Sequence, residues 1–175
     1  HHLQQWKIGN VTITRIEELT GPIFDPARFF PDFDPDVFDE HSEWLYPNQV
    51  DSASGNLIAS MHSWLIETGH HKILVDTCIG NDKDRMPYRN WNRMHTPWLR
   101  NLVKTGVSPE EIDFVMCTHL HIDHVGWNTR LVDGTWVPTF PNAKYVFART
   151  EFDFWQQARE RTDNFNEVNK QTFDD

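Results

Sequence analysis

The chain has 175 residues, a length that suits one domain over residues 1–175. Its formal net charge is −10 at pH 7, which argues against a nucleic acid partner because nucleic-acid-binding proteins carry a basic surface. No apolar run approaches the roughly 20 residues needed to cross a bilayer, so neither a membrane partner nor a membrane span is expected.

Two cysteines, Cys78 and Cys117, form no CxxC pair and no disulfide framework. We expect both to be reduced, buried side chains. Cys117 is also a minor alternative metal ligand, because it lies two residues before His119. The N-terminus has no apolar core of the signal-peptide kind. A cytoplasmic location is therefore expected, unless a native signal peptide has been removed.

The first third of the chain predicts one strand and one long arm. Residues 11–19 alternate apolar and polar side chains, a pattern that predicts a half-buried strand. Residues 21–54 predict an irregular arm, because prolines recur throughout this segment. The arm is rich in aromatic residues, unlike a disordered linker. It is expected to pack on the domain surface, either as a lid on a substrate pocket or as a structural N-terminal arm.

A hairpin and a helix are predicted next. Residues 63–68 and 72–77 are the two strands of the hairpin. The helix has clear end signals. Thr96 suits the N-cap, Pro97 the first helical position, and Gly106 the position after the last turn.

Strands and helices continue to alternate in the last third. Residues 112–119 predict a mostly apolar, central strand, and residues 131–137 predict a small hairpin. Residues 144–148 predict another buried strand, and Thr150 is expected to cap a helix that ends near Arg161. This alternation favours an α/β class over a pure β-sandwich.

Four candidate metal ligands follow the predicted central strand within six residues, in a run that we name the HLHIDH motif (residues 119–124). Imidazole and carboxylate suit zinc, iron and similar ions, and a tight loop can turn alternate side chains inward. His119 and His121 can then share one ion, while Asp123 and His124 serve a neighbouring ion. Gly126 suits a close or left-handed backbone where the loop ends. A coincidental run of surface side chains is the alternative.

The HLHIDH motif is similar to the HxHxDH signature of the metallo-β-lactamase-fold hydrolases. The upstream ILVDT, residues 73–77, resembles the strand of that family that ends in an acidic residue near the metals. Residues 56–151, including CTHLHIDHVGWN and FPNAKYVF, resemble the lactonase, thioesterase and methyl parathion hydrolase-like branches. The resemblance implies an α/β fold of the αββα sandwich type, of which this chain would supply the N-terminal half to two-thirds.

The resemblance also implies the site residues and the cofactors. If the ligand positions of the family motif are transferred to this sequence, His119 and His121 hold one metal, and Asp123 and His124 hold the other. Asp123 is in addition the catalytic residue, because it orients the attacking hydroxide. Asp76 would lie behind the ligands and accept a hydrogen bond from a ligand imidazole. The expected cofactors are two divalent metal ions, zinc first, with iron or manganese as alternatives.

Two departures from related subfamilies favour a two-metal hydrolase. Flavodiiron oxidoreductases of this fold carry Glu where this chain has His121. β-Lactamases with one metal-binding Cys lack the last His of the motif, which is present here as His124. Persulfide dioxygenases use the same motif with a single iron, so an oxidoreductase stays open as an alternative.

A third departure is the number of ligands. Family members supply further ligands from the second half of the fold, and no His follows His124 in this sequence. Each ion would receive two ligands, short of the three usual for catalytic zinc. Three explanations are open: the chain is part of a longer protein, a second chain completes the site, or the protein is a non-catalytic binder. The first explanation is favoured. The chain alone is not expected to be active.

The sequence therefore predicts a metal-dependent hydrolase. A metal-bound hydroxide would cleave an ester, lactone, thioester or phosphotriester. The alternatives are a mononuclear iron dioxygenase on the same fold and a non-catalytic metal-binding domain. The expected partner is a small-molecule substrate, and association into a homo-oligomer is left open.

Overall fold

The structure, a computed structural model, describes residues 4–161 and 171–172. It divides into two compact units: Leu19–Met61 forms one, and the residues before and after that segment form the other. The expectation of a single domain over residues 1–175 stays a prediction, and the outermost residues of that range lie outside the described ones. Within the described residues, no helix combines the length and apolar character needed to cross a membrane.

The described residues form eight strands and six α-helices. In chain order these are β1 (Gln4–Ile8), β2 (Val11–Phe24), α1 (Pro26–Phe29), α2 (Asp36–Glu40), α3 (Ser42–Leu45), β3 (Leu57–Glu67), β4 (Lys72–Val75), α4 (Trp98–Val103), β5 (Phe114–Met116), α5 (Ile122–Val125), β6 (Thr129–Val132), β7 (Thr135–Pro138), β8 (Lys144–Val146) and α6 (Arg149–Arg159). Two short 3-10 turns, Pro109–Glu111 and Gly126–Asn128, complete the set.

Six strands form a mixed sheet in the order β1-β2-β3-β4-β5-β8, and β6 and β7 form a separate two-stranded sheet. β4 pairs antiparallel with β3 and parallel with β5, which pairs parallel with β8. Val75 is in register with Met116, so the carboxyl ends of β4 and β5 lie side by side. The mixed sheet with its helices confirms the predicted α/β class.

The core of the larger unit is apolar and rich in tryptophan. The ring of Trp98, from α4, stacks on that of Trp127 with a centroid separation of 5.3 Å. Phe140 meets Trp98 edge-on at 6.4 Å. Aromatic rings contribute large buried areas, about 150–250 Å² each. These rings pack in one buried cluster with side chains from the sheet and from α4 and α6, among them Leu65, Leu74, Leu102, Val115, Trp155 and Ala158.

Both predicted hairpins are confirmed. β3 and β4 pair antiparallel, with Glu67 opposite Lys72. β6 and β7 are joined by Asp133 and Gly134, whose φ angles are +49° and +79°. Two left-handed residues at a two-residue turn match the right-handed twist of the strands that they join.

Three predicted element ends are wrong. α4 begins at Trp98 with Pro97 as its N-cap, because the Thr96 hydroxyl is engaged elsewhere, 3.2 Å from Glu18 Oε1. α6 begins at Arg149, so Thr150 lies inside its first turn. The central strand spans only Phe114–Met116, since the Thr118 N–H leaves the strand ladder and donates to Asp76.

The unit Leu19–Met61 contains three short helices within the segment predicted to be irregular. Proline interrupts helix interiors but suits helix starts, and Pro26 occupies the first turn of α1. The Asp25 carboxylate caps that helix by accepting from Ala27 N at 3.0 Å. Aromatic side chains pair within this unit: Phe24 with Phe29, Phe33 with Phe38, and Phe38 with Tyr46.

Candidate metal site

The HLHIDH motif begins three residues after the end of β5. A short loop leads from the strand to α5, which carries Asp123 and His124. Apolar side chains alternate with the candidate ligands, and Leu120, Ile122 and Val125 are buried. They anchor the loop in the interior and leave the polar side chains of the motif half-buried.

The structure brings all four candidate ligands together. The ring centroids of His119 and His124 are 3.9 Å apart, and those of His119 and His121 are 4.6 Å apart. Asp123 Oδ2 lies 3.5 Å from His124 Nε2. Three imidazoles and one carboxylate therefore form a single cluster at the carboxyl end of β5.

Asp76 joins this cluster from the end of β4. It follows the strand directly, and its φ of +58° turns the chain away from the sheet. Asp76 Oδ2 accepts a hydrogen bond from His124 Nδ1 at 2.8 Å. Burial opposes ionisation of Asp76, but hydrogen bonds from His124 and Thr118 outweigh it, so the pKa of this carboxyl lies below its usual value. The carboxylate is therefore ionised at neutral pH.

Thr118 is a site residue that our sequence reasoning missed, although it directly precedes the motif. Its backbone N–H and its hydroxyl donate to the two oxygens of Asp76, both at 2.8 Å. The same hydroxyl lies 3.1 Å from His119 Nδ1. Because its only hydrogen is directed at Asp76, it accepts from His119. The proton of His119 is thereby assigned to Nδ1, which leaves Nε2 as the bare nitrogen.

The two outer histidines of the motif differ in basicity. Burial, followed by the charges of His124 and His121, lowers the pKa of His119 below its usual value. Burial also acts to lower the pKa of His124, but the hydrogen bond to Asp76 and the nearby carboxylates raise it above its usual value. His119 is thus neutral at pH 7, the form in which imidazole binds metals.

The four candidate ligands are of the donor types that divalent metal ions bind. His119 and His124 each use Nδ1 for a hydrogen bond, which fixes the ring and leaves Nε2 as the nitrogen that would bind a metal. The carboxylate of Asp123 adds an oxygen donor beside His124. Within residues 4–161 and 171–172, no three His, Cys, Asp or Glu side chains form a group that could by itself hold an ion.

Cys117, the minor alternative ligand, belongs to the apolar core. Burial is the main reason why the pKa of its thiol is raised to about 11. It is therefore a protonated thiol at neutral pH, whereas metals bind the thiolate.

Glu151 supports the motif loop from α6, and sequence reasoning missed it as well. Its Oε2 accepts from Leu120 N at 3.2 Å and from Trp155 Nε1 at 3.0 Å. Trp155 in turn places its ring edge-on to His121, with centroids 5.4 Å apart. No local pattern indicates this role, because the contact spans 31 residues of sequence.

Gly126 ends the motif loop in close contact with the loop that follows β4. A Cβ at this position would lie 1.9 Å from the carbonyl oxygen of Ile79, and a Cβ on Gly80 would lie 2.7 Å from the Gly126 backbone. The expected need for glycine is confirmed as a close approach, since the φ of Gly126 is an ordinary −61°.

The sequence matches the metallo-beta-lactamase superfamily over residues 61–174. Among solved structures, the hydrolase AbOPH, described as belonging to the beta lactamase superfamily, is 26% identical with a TM-score of 0.69. That match covers 97% of this chain and 54% of the other. A probable metal-dependent hydrolase from Staphylococcus aureus is 21% identical with a TM-score of 0.68, covering 87% of this chain and 52% of the other.

A third similar structure is AidC, described as a dizinc quorum-quenching lactonase in complex with a product. It is 19% identical with a TM-score of 0.57, and the match covers 91% of this chain and 48% of the other. The chain thus spans about half the length of these three structures. No curated protein matches the sequence. The structural matches confirm the predicted metallo-β-lactamase fold, of which this chain represents about half.

Proposed function

The chain belongs to the metallo-beta-lactamase superfamily, and we propose that it supplies the HLHIDH metal-binding motif of a hydrolase that cleaves an ester, lactone, thioester or phosphotriester. The observation that carries the proposal is the cluster of His119, His121, Asp123 and His124, with Asp76 bonded to His124 Nδ1. The likeness to the hydrolase AbOPH, at 26% identity, supports hydrolysis as the reaction class.

In this proposal the four candidate ligands are divided between two metal ions. His119 and His121 hold one divalent ion, and Asp123 and His124 hold a second. We take zinc as the first choice, with iron or manganese as alternatives. When bound, such ions lower the pKa of a coordinated water and polarise the carbonyl or phosphoryl oxygen of the substrate.

Asp123 is the proposed catalytic residue. Its carboxylate can accept a hydrogen bond from the attacking water and so orient the oxygen lone pair towards the substrate. Asp76 fixes the ring of His124 through the 2.8 Å hydrogen bond, and Thr118 fixes that of His119. Because these rings are held before the substrate arrives, little reorganisation is needed during the reaction.

The test uses the full-length protein, its metal content and a panel of four substrates. The panel contains a p-nitrophenyl ester, an N-acyl homoserine lactone, an acyl thioester and a p-nitrophenyl phosphotriester. The lactone is included because AidC, which shares the fold, is described as a lactonase. We expect two metal equivalents per chain and hydrolysis of at least one substrate that is lost on chelation and restored by added zinc.

Other outcomes would favour the alternatives. A single iron with oxygen consumption would indicate the dioxygenase. Full metal loading without hydrolysis of any substrate would indicate a non-catalytic metal-binding domain.

Substituting Asp76 with asparagine is expected to weaken metal binding by roughly 10–100-fold, the range typical of residues that orient metal ligands. Asparagine tolerates the left-handed backbone of this position, so the loss follows from the missing charge beside His124. Competitive chelator titration of zinc measures it. Asp133→Asn is the control, since Asp133 is also left-handed but lies in the β6–β7 turn. Equal zinc affinity in Asp76→Asn and the wild type would contradict the role assigned to Asp76.

A further inference from the structure

Glu18, in β2, is a buried acidic residue outside the metal-binding motif. We propose that Glu18 is a positioning residue for the metal site. Its carboxylate holds the motif loop and the loop after β4 in a fixed position relative to each other. The inference rests on the proposed function, because it assumes that the motif binds metal. It concerns a residue 101 positions before the motif, since His119 is the first ligand.

The Glu18 carboxylate accepts hydrogen bonds from three separate segments. Oε2 accepts from Ile79 N at 2.7 Å. Oε1 accepts from Trp127 Nε1 at 2.7 Å and from Gly80 N at 3.3 Å, and it lies 3.2 Å from the Thr96 hydroxyl. The residue is only 8% exposed. Buried carboxylates are tolerated where their oxygens are well satisfied, and here donors converge on both.

Two of these segments lead directly to the metal site. Ile79 lies three residues after Asp76, and Trp127 lies three residues after His124. Between those points the backbones are joined: Thr77 N donates to His124 O at 2.7 Å, and Trp127 N donates to Thr77 O at 2.8 Å. The two loops thus form a paired segment. Glu18 binds both loops at one end of this segment, and the hydrogen bond between Asp76 and His124 joins them at the other end.

A second buried charge acts on the same paired segment. The peptide group between Ile79 and Gly80 donates through Gly80 N to Glu18 and accepts through Ile79 O from Arg85 Nη2 at 3.2 Å. The positive N–H end of this peptide dipole faces the Glu18 carboxylate, and its negative C=O end faces the Arg85 guanidinium. Burial is the main reason that the pKa of Glu18 is raised, and the hydrogen bonds that its carboxylate accepts, first those from Ile79 and Trp127, oppose the shift.

The same peptide group is the surface on which Gly126 packs. The space between Gly126 and Ile79 does not admit even a Cβ atom. A small displacement of the Ile79–Gly80 backbone must therefore move the end of the motif loop. Through this contact the position of Glu18 affects the end of the motif loop, two residues after His124.

The test compares Glu18→Gln with Glu17→Gln in the full-length protein. Glutamine has nearly the shape of glutamate, but its amide NH₂ must face either Ile79 N or Trp127 Nε1, both donors. Glu17 is the neighbouring residue, its side chain is 42% exposed, and it pairs with Arg15. Each variant is titrated with Co²⁺, and the visible absorption spectrum and the competitive zinc affinity are recorded together with circular dichroism and thermal unfolding.

We expect Glu18→Gln to remain folded, to bind zinc roughly 10-fold more weakly and to show an altered Co²⁺ absorption band, as when a residue that orients ligands is lost. Glu17→Gln should match the wild type in all measurements. A folded Glu18→Gln with unchanged affinity and spectrum would overturn the inference while leaving the proposed function intact. A wild type that binds neither ion would overturn the proposed function, and this inference with it.

A second variant covers the case in which Glu18→Gln does not fold. Trp127→Phe keeps a ring against Trp98 but removes the N–H that donates to Glu18. Loss of a hydrogen bond to a charged group predicts at least about a 3-fold weaker zinc affinity and the same spectral change. A folded Trp127→Phe with wild-type affinity and spectrum would overturn the inference.

Discussion

Replacing His121 with alanine in the full-length protein is expected to lower kcat/KM by at least about 100-fold, because a metal ion contributes several kcal/mol of transition-state stabilisation and each 1.4 kcal/mol is a factor of ten. The fold should survive. His121 precedes α5 without capping it through its side chain. Its ring meets His119 and Trp155 edge-on, at centroid distances of 4.6 and 5.4 Å.

The measurement is steady-state hydrolysis of whichever panel substrate the wild type cleaves, with metal content determined on the same samples. His70→Ala is the matched control, since His70 is an exposed histidine in the turn between β3 and β4. It should retain full activity and metal content. If His121→Ala kept wild-type activity at wild-type metal content, the HLHIDH motif would not be the site of hydrolysis.

Gly126→Ala is expected to destabilise the protein by at least about 3 kcal/mol, the upper end of the cost of overpacking. The new Cβ would lie 1.9 Å from the carbonyl oxygen of Ile79. That carbonyl cannot easily move away, because Arg85 donates to it and Glu18 accepts from the N–H of the same residue. For a chain of this length the change corresponds to a fall in Tm of roughly 6–12 °C.

Thermal unfolding followed by circular dichroism measures this effect. Gly21→Ala serves as the control, since no atom lies within 4 Å of the Cβ that it would add and its φ is not in the left-handed region. It should leave Tm nearly unchanged, because removing a glycine also reduces the entropy of the unfolded chain. A Tm for Gly126→Ala equal to that of the wild type would show that the motif loop and the loop after β4 can move apart without loss of stability.

The proximity of the four candidate ligands to Asp76 could be predicted, because the candidates are nearly adjacent in sequence and ILVDT resembles the strand of the family that ends in an acidic residue near the metals. The four candidate ligands lie within six residues, and Asp76 follows a short apolar strand. The parallel pairing of β4 with β5 then brings the two strand ends together. What the pattern could not supply is the tautomer of His119 and of His124, which depends on the Thr118 hydroxyl and the Asp76 carboxylate.

Glu18 and Thr96 show where local reasoning fails. A period of two places Glu18 on the same strand face as the buried Ile16, but an acidic side chain at that position is read as exposed. Its burial depends on donors 61 to 109 residues away. Thr96 is of a residue type that favours the N-cap of a helix, yet its hydroxyl lies beside the Glu18 carboxylate. Long-range hydrogen bonds override a local propensity of about 1 kcal/mol.

The span of 109 residues between Glu18 and Trp127 also affects the order in which the chain can fold as it is synthesised. At about 5–20 residues per second, Trp127 is added roughly 5–20 s after Glu18. During that interval the carboxylate lacks its indole donor, because Trp127 has not yet been made. The candidate metal ligands are nearly consecutive in sequence, but the hydrogen bonds of His124 to Asp76 and of Trp127 to Glu18 join residues 48 and 109 positions apart. Such contacts form slowly because a long loop must close first, so we expect the site to be organised late in folding.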